Sequence, residues 1–134
     1  MSLPEWTAGI RSALDDKMGI ELLEIGPRHS RARMPVAGNT QPFGFWHGGA
    51  SCVLAETLAS LSAFAEVGPQ GRIFGVDINA THHRPARDGW VNGEATALHI
   101  GGRLGTWEIA LTNDAGELMC TARVTCALLR PPPA

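Results

Sequence analysis

Apolar positions recur along this chain with two different periods. Between residues 53 and 65, Leu54, Leu58, Leu61 and Ala65 fall on one face at about 100° per residue, with Val53, Thr57 and Phe64 beside them. That spacing predicts a helix of about five turns, opening near His47-Gly48-Gly49 and closing before the Gly68-Pro69-Gln70-Gly71 break. From Phe74 onward the period is two. Phe74, Val76, Ile78 and Ala80 alternate with polar or small residues, and Val91 to Ile100 forms a second run. Arg103 to Thr112 is a third, with Trp107, Ile109 and Leu111 on one side. Leu118, Cys120, Ala122, Val124, Cys126 and Leu128 make one face of a fourth. Gly101-Gly102 and the segment Asn113 to Gly116 supply hairpin connections. Successive alternating runs joined by short turns predict an antiparallel sheet with one buried face, which the helix covers: an α+β chain.

The first third is weaker in pattern. Trp6, Ile10 and Leu14 predict one short helix over residues 4–17, with Pro4 in its first turn. Ile20 to Ile25 reads as a strand ended by Gly26-Pro27, and Ser30 to Val36 as a strand that pairs back on it. No repeat or internal boundary is visible, so 1–134 is expected to be one domain with 131–134 as a loose tail.

Composition narrows the function. A net charge of −2 with 18% charged residues argues against nucleic-acid and acidic-membrane partners. No signal-peptide pattern is present, and no apolar run reads as long enough to cross a membrane. Three cysteines without metal-ligand spacing suit a reducing compartment, so a cytoplasmic protein is expected, with no metal.

One helical residue stands out. Glu56 lies about 200° from Leu54, among Gly49, Cys52, Ala59, Ser60 and Ala63. This side lacks the Lys, Glu and Arg of a solvated face, so close approach by another chain is expected there. A lone carboxylate on such a face is either a salt-bridge partner or a functional group. His47 precedes Glu56 by nine residues, roughly 13.5 Å along the axis and about 180° around it. The two cannot meet one carbonyl carbon within one helix, so if both act they come from different chains.

The residues Gln41-Pro-Phe-Gly, His47-Gly-Gly-Ala-Ser, Leu54-Ala-Glu56, Ile78-Asn-Ala-Thr-His-His-Arg84, Leu98-His-Ile-Gly-Gly-Arg103 and Trp107-Glu-Ile go further. Together they resemble the hotdog-fold acyl-coenzyme A thioesterases of the phenylacetate-pathway type, over about residues 15 to 129. Within that group they resemble most the branch acting on aromatic acyl-CoAs, such as the 4-hydroxybenzoyl-CoA and 1,4-dihydroxy-2-naphthoyl-CoA thioesterases. The resemblance implies a long helix wrapped by an antiparallel sheet. It implies Glu56 as nucleophile or general base and the Gly48 N–H as oxyanion donor, with Gln41 and His47 orienting the thioester. It also implies a shared site in a homodimer, commonly paired into a homotetramer, and no cofactor beyond the coenzyme A of the substrate. Ser60, one turn past Glu56, stands where some relatives have Thr and keeps a hydroxyl within reach of Glu56 or the attacking water.

Coenzyme A phosphates need local cations. Arg84 and Arg103 sit in matching motifs, and Gly101-Gly102 offers backbone N–H groups; Arg87 is as well read as an edge residue. His82 shares a strand face with Arg84 and is a candidate for the pantetheine channel, although on sequence grounds alone a histidine there is more often structural. Phe43, Phe45 and Trp46 are candidate walls of an acyl pocket or ordinary core. Three rivals stay open: a dehydratase of the same fold, a Cys52–His47 thiol hydrolase, and a non-catalytic acyl-CoA-binding protein. A thioesterase for medium-chain fatty acyl or carrier-protein-bound acyl groups is a further alternative.

Overall fold

The computed structural model describes residues 3–10 and 12–133. The period-two half of the chain forms four long strands: β3 (Arg72–His82), β4 (Trp90–Ile100), β5 (Leu104–Thr112) and β6 (Leu118–Leu129). Two shorter strands, β1 (Glu21–Glu24) and β2 (His29–Pro35), precede them, and all six join in one antiparallel sheet ordered β1-β2-β4-β5-β6-β3. Trp107, Ile109 and Leu111 of β5 face inward with Cys120, Ala122, Val124, Cys126 and Leu128 of β6, all buried. Leu118 is the exception to that run and is exposed at the start of its strand.

The helix α2 (Gly48–Val67) lies in the hollow of the sheet and touches β2, β3, β4, β5 and β6. His47 caps it: its Nδ1 accepts from the Gly49 N–H at 2.8 Å, satisfying one of the donors a helix start leaves free. The buried side overlaps only in part the one that hydrophobicity marks: Leu54 and Leu58 are buried as expected, but the core continues toward the small residues. Ala50, Ser51, Leu54, Ala55, Leu58, Ala59, Ser62, Ala63 and Val67 are buried within the single chain. Ala59 and Ala63, expected to meet a second chain, are covered by their own sheet instead. Val53, Thr57, Leu61 and Phe64, expected in the core, line an open pocket with Glu56. The reason is packing distance: alanine and serine let the curved sheet approach closely, so the small-residue side becomes the core. Its serines are satisfied, Ser62 by Ser30 at 2.6 Å and Ser51 by the Trp46 indole N–H at 2.6 Å. At 20 residues α2 is long and apolar enough to span a membrane by length and composition, contrary to the sequence reading, but half of it is buried inside this domain as its central helix.

Two more expectations change. Residues 4–17 are not one helix. A 3-10 turn, Glu5–Gly9, is followed by extended backbone at Ile10 and then by α1 (Ala13–Met18); position 11 lies outside the described residues. Ser12 restarts the helix, accepting from the Asp15 N–H at 3.2 Å. In β3 a bulge between Gly75 and Asp77 shifts the alternation by one. Phe74 and Val76 are therefore 57% and 59% exposed, while Ile73, Ile78 and Ala80 pack on the core. β3 is an edge of the sheet, and among the described residues no strand lies on its outer side.

Candidate active site

Glu56 projects from the middle of α2 toward β3. Its carboxylate lies over Gly75, where an added Cβ would stand 2.5 Å from Oε2. Glycine at the bulge therefore makes room for the carboxylate. Beside it opens a pocket of about 640 Å³. Its apolar walls are Ile10, Leu14, Val53, Leu61, Phe64 and Ile73, and its polar groups are Ser12, Asp15, Glu56, Thr57 and Ser60. Trp6 stacks on the back of Phe64, with centroids 4.9 Å apart. Ser60 sits one turn from Glu56 as expected, and its hydroxyl bonds the buried Cys126 thiol. Burial, then that bond, then the charge of Glu56 act on this thiol, and the net effect raises it to about 11. Cys126 is thus a protonated, inert neighbour of the carboxylate.

A second pocket of about 400 Å³ gathers Gln41, Phe45, Trp46, Gly48, Ser51, His82, His83, Arg84 and Met119. A bridge between Thr40 and Trp46 closes the turn that carries Gln41. The Gln41 side-chain oxygen accepts from the Phe43 N–H at 2.5 Å and the Phe45 N–H at 3.3 Å. Two donors on one end of the amide fix its orientation, so the NH₂ end is left to donate elsewhere. Gly48 packs against His82: an added Cβ would lie 2.9 Å from Nε2. At the helix start the Gly49 N–H goes to His47 Nδ1 and the Ala50 N–H to the His47 carbonyl. Among the described residues no acceptor of this chain meets the Gly48 N–H, which stays at the positive end of the helix.

Glu56 and the Gln41–Gly48–His82 group therefore belong to different pockets of one chain. Gly48 and Glu56 are eight residues apart on α2, about 12 Å along its axis. His47 itself lies in neither pocket; it is the helix cap, with its ring over Gly49. Phe43 is 79% exposed at the tip of the turn and Trp46 is core that reaches the second pocket. Neither walls the pocket beside Glu56. That pocket is built by the N-terminal segment, whose Ile10, Leu14 and Asp15 the sequence reading did not single out. The helical spacing of Ile10 and Leu14 was the available signal, but it pointed to core.

Arg84 pairs with Glu117 at 3.4 Å and keeps about half its surface open. Arg103 is exposed on the β4–β5 turn. The Arg84 N–H bonds the Met119 carbonyl and the Arg103 carbonyl accepts from Leu128, at opposite ends of β6. Nine strand residues separate those contacts, roughly 30 Å. One chain thus does not bring the two guanidiniums together. The Gly101 N–H is committed to the Leu104 carbonyl. Arg130 holds the Gly101 and Gly102 carbonyls and Glu66. Arg87 lies over the Phe45 ring. Among the described residues no cluster of His, Cys, Asp and Glu is placed to hold a metal, and His83 bonds Thr121.

The sequence description of the Thioesterase superfamily matches residues 43–120, the segment that carries Gly48, Glu56 and His82. The chain belongs to this family. It is 41% identical over 113 residues to the 1,4-dihydroxy-2-naphthoyl-CoA hydrolase of Escherichia coli, covering 84% of this chain and 83% of that one. A thioesterase of Haemophilus influenzae superposes with a TM-score of 0.84 at 35% identity, covering 89% of this chain and 84% of the other. A mutant thioesterase of Pseudomonas aeruginosa superposes with a TM-score of 0.86 at 36% identity, covering 93% and 91%. The fold is the hotdog fold, and this superfamily member is a thioester hydrolase.

Proposed function

We propose that this protein hydrolyses the thioester of an aromatic acyl-CoA, in sites shared between two copies of the chain. The observation that carries the reading is the pairing of half-sites. One pocket holds a carboxylate, Glu56, without an oxyanion donor. The other holds the donors, the Gly48 N–H and the Gln41 NH₂, without a carboxylate.

The free edge of β3 relates the two halves. Glu56 marks Gly75 and Gly48 marks His82, and both strand positions face the helix. Antiparallel pairing of β3 with the second copy's β3 about a two-fold axis at Asn79 sets Gly75 opposite the second copy's His82. The bulge at Val76 takes up the one extra residue. Glu56 then faces the second copy's Gly48 and Gln41. The same register sets the second copy's Arg84 beside Ile73, next to Leu128 and the Arg103 turn. The two arginines come within about two strand spacings, roughly 10 Å, at one end of the shared site. A CoA nucleotide entering there meets both. Two such dimers forming a tetramer, and a cytoplasmic location, belong to the same reading.

The chemistry follows. The thioester carbonyl oxygen takes the Gly48 N–H and the Gln41 NH₂, which stabilise the developing oxyanion. Glu56 removes a proton from the water that attacks the carbonyl carbon, or attacks it directly to form a mixed anhydride that water then cleaves, releasing the acid and restoring the carboxylate; in either case the C–S bond breaks and coenzyme A leaves as the thiolate that takes up a proton from that water. The acyl group occupies the apolar pocket beside Glu56. Hydrolysis of a panel of benzoyl-, phenylacetyl-, naphthoyl-, medium-chain fatty acyl-CoAs and acyl-carrier-protein thioesters tests the reading. The expected result is highest kcat/KM on aromatic CoA esters. Preference for the fatty acyl or carrier-protein series overturns the acyl or carrier assignment. Inactivity on every ester would mean a binding protein.

A further inference from the structure

Arg130, just past the end of β6, is held by groups from two other parts of the fold. Its Nη1 donates to Glu66 Oε2 at 2.8 Å, its Nη2 to the Gly101 carbonyl at 2.9 Å and its Nε to the Gly102 carbonyl at 3.4 Å. The hydrolysis argued above does not use it. Glu66 lies in the last turn of α2, which carries no basic residue. A carboxylate there meets the negative end of the helix dipole, so helix stability does not account for it. Its ion pair with Arg130 does.

A partly exposed ion pair alone adds little to folding stability. The contact is geometric instead: one planar fork takes two main-chain carbonyls of the same turn and is anchored on α2 by Glu66. Gly101 and Gly102 give the β4–β5 turn wide backbone freedom. Three ties restrain it. The Gly101 N–H donates to the Leu104 carbonyl, the Leu128 N–H donates to the Arg103 carbonyl, and Arg130 grips the two glycine carbonyls. The side chain this turn presents is Arg103, exposed and, among the described residues, without an acceptor for its guanidinium. A turn ordered before the anion arrives leaves less to be ordered on binding.

We propose that Arg130 is a positioning residue: anchored on Glu66, it holds the β4–β5 turn through the Gly101 and Gly102 carbonyls, so that Arg103 meets the phosphates of the CoA nucleotide. This rests on the nucleotide site argued above. The test takes the aromatic CoA ester with the highest kcat/KM and the same acyl group on pantetheine, which lacks the nucleotide. Both are measured with wild type, Arg130→Ala, Arg130→Lys, Glu66→Gln, Arg103→Ala and the Arg103→Ala/Arg130→Ala double variant, each checked for fold by circular dichroism. Arg130→Ala is expected to raise KM for the CoA ester about fivefold, with kcat within about twofold and the pantetheine ester unaffected. Arg130→Lys should lose as much, because an ammonium keeps the charge but not the fork. Glu66→Gln, which weakens the anchor from the other side, should raise the same KM by a smaller factor. In the Arg103→Ala background, removing Arg130 should add nothing. Wild-type KM in folded Arg130→Ala overturns this inference alone. So do wild-type KM in Arg130→Lys or additive losses in the double variant, which would mean that Arg130 acts by its own charge, and equal losses on both esters, which would mean a purely structural role. If Arg103→Ala leaves KM for the CoA ester unchanged, or wild type hydrolyses no acyl-CoA, the reading above falls and this one with it.

Discussion

The Glu56 carboxylate rests on the α-carbon of Gly75, so closely that a methyl group there would stand 2.5 Å from Oε2. The atom it would meet is the end of a flexible side chain, so the change displaces the carboxylate rather than the backbone. Gly75→Ala is therefore expected to fold with a melting temperature near that of wild type and to lose about tenfold or more in kcat. Unchanged kcat in a folded Gly75→Ala protein would show that the position of the carboxylate does not matter.

Removing the carboxylate itself is the stronger change. Glu56→Gln and Glu56→Ala are expected to lower turnover by about two orders of magnitude or more with the fold intact, because Glu56 is exposed in the chain and supports no core contact. Near-normal hydrolysis by folded Glu56→Ala protein would remove it from the mechanism.

Arg84 and Arg103 are expected to act on the nucleotide end of the substrate. Arg84→Ala and Arg103→Ala should chiefly raise KM for CoA esters, and the effect should shrink with a truncated thioester that lacks the nucleotide. Loss of the same size on both substrates would mean that neither guanidinium reads the phosphates. Arg84 carries a further expectation: Glu117→Gln frees it from its ion pair and should not reproduce the loss.

The sheet was legible because its inward residues alternate cleanly in β5 and β6, and because glycine-rich turns separate the runs. β3 was read in the right phase at Ile78 and Ala80 but in the wrong one at Phe74 and Val76, since a bulge leaves no mark in a hydropathy pattern beyond the glycine itself. α2 was legible as a helix but its buried side was not: Leu54 and Leu58 pack inward with its Ala and Ser side, whereas Val53, Leu61 and Phe64 line an open pocket. Glu56 drew attention because a lone carboxylate on a small-residue face breaks a local rule, whereas Gly48 and Gln41 became candidates through the family motifs they sit in. Asp15 and Ile73 escaped notice because they follow local rules, as a helix-cap partner and a strand residue, and only the tertiary fold brings them to Glu56. The distance between Gly48 and Glu56 followed from helix geometry alone, whereas the proposed route by which two chains would join the two pockets required the edge position of β3.

Far from the site, His29 ties three strands together. Its Nδ1 meets Glu24 at 2.9 Å and its Nε2 meets Glu94 at 2.7 Å. The Glu24 bond, then the Glu94 bond, raises the pKa of His29, while the His29 bond, then Arg31, lowers that of Glu24. The raised His29 contributes stability that is complete below the ordinary imidazole range and is lost as pH rises through its folded value. The lowered Glu24 contributes stability above the ordinary carboxyl range that is lost as pH falls through its folded value. Both hold between roughly pH 4.5 and 6.5. The difference in melting temperature between wild type and His29→Gln should peak in that window and narrow at about pH 8.5 and about pH 3. A difference that does not vary with pH would show that the charged form of His29 contributes nothing.

The last expectation concerns assembly. Within one chain, Glu56 and the Gln41–Gly48 donors open into separate pockets, and β3 offers an unpaired strand edge between the positions that mark them. A bare edge of this length is a standing invitation to pair, and natural chains cover such edges. If the second copy covers it, each complete site takes Glu56 from one chain and Gln41 with the start of α2 from the other. A Gln41→Ala/His47→Ala double variant and a Glu56→Ala variant should each be nearly inactive alone. Mixed and allowed to exchange subunits, they form hybrid dimers in which one site holds every intact group and the other holds none. Half of randomly exchanged dimers are hybrids with one working site of two, so activity should recover to about a quarter of wild type. Absence of recovery, with exchange verified by mass spectrometry of the intact dimers, rules out the shared site. A fully active monomer at assay concentration does so more directly.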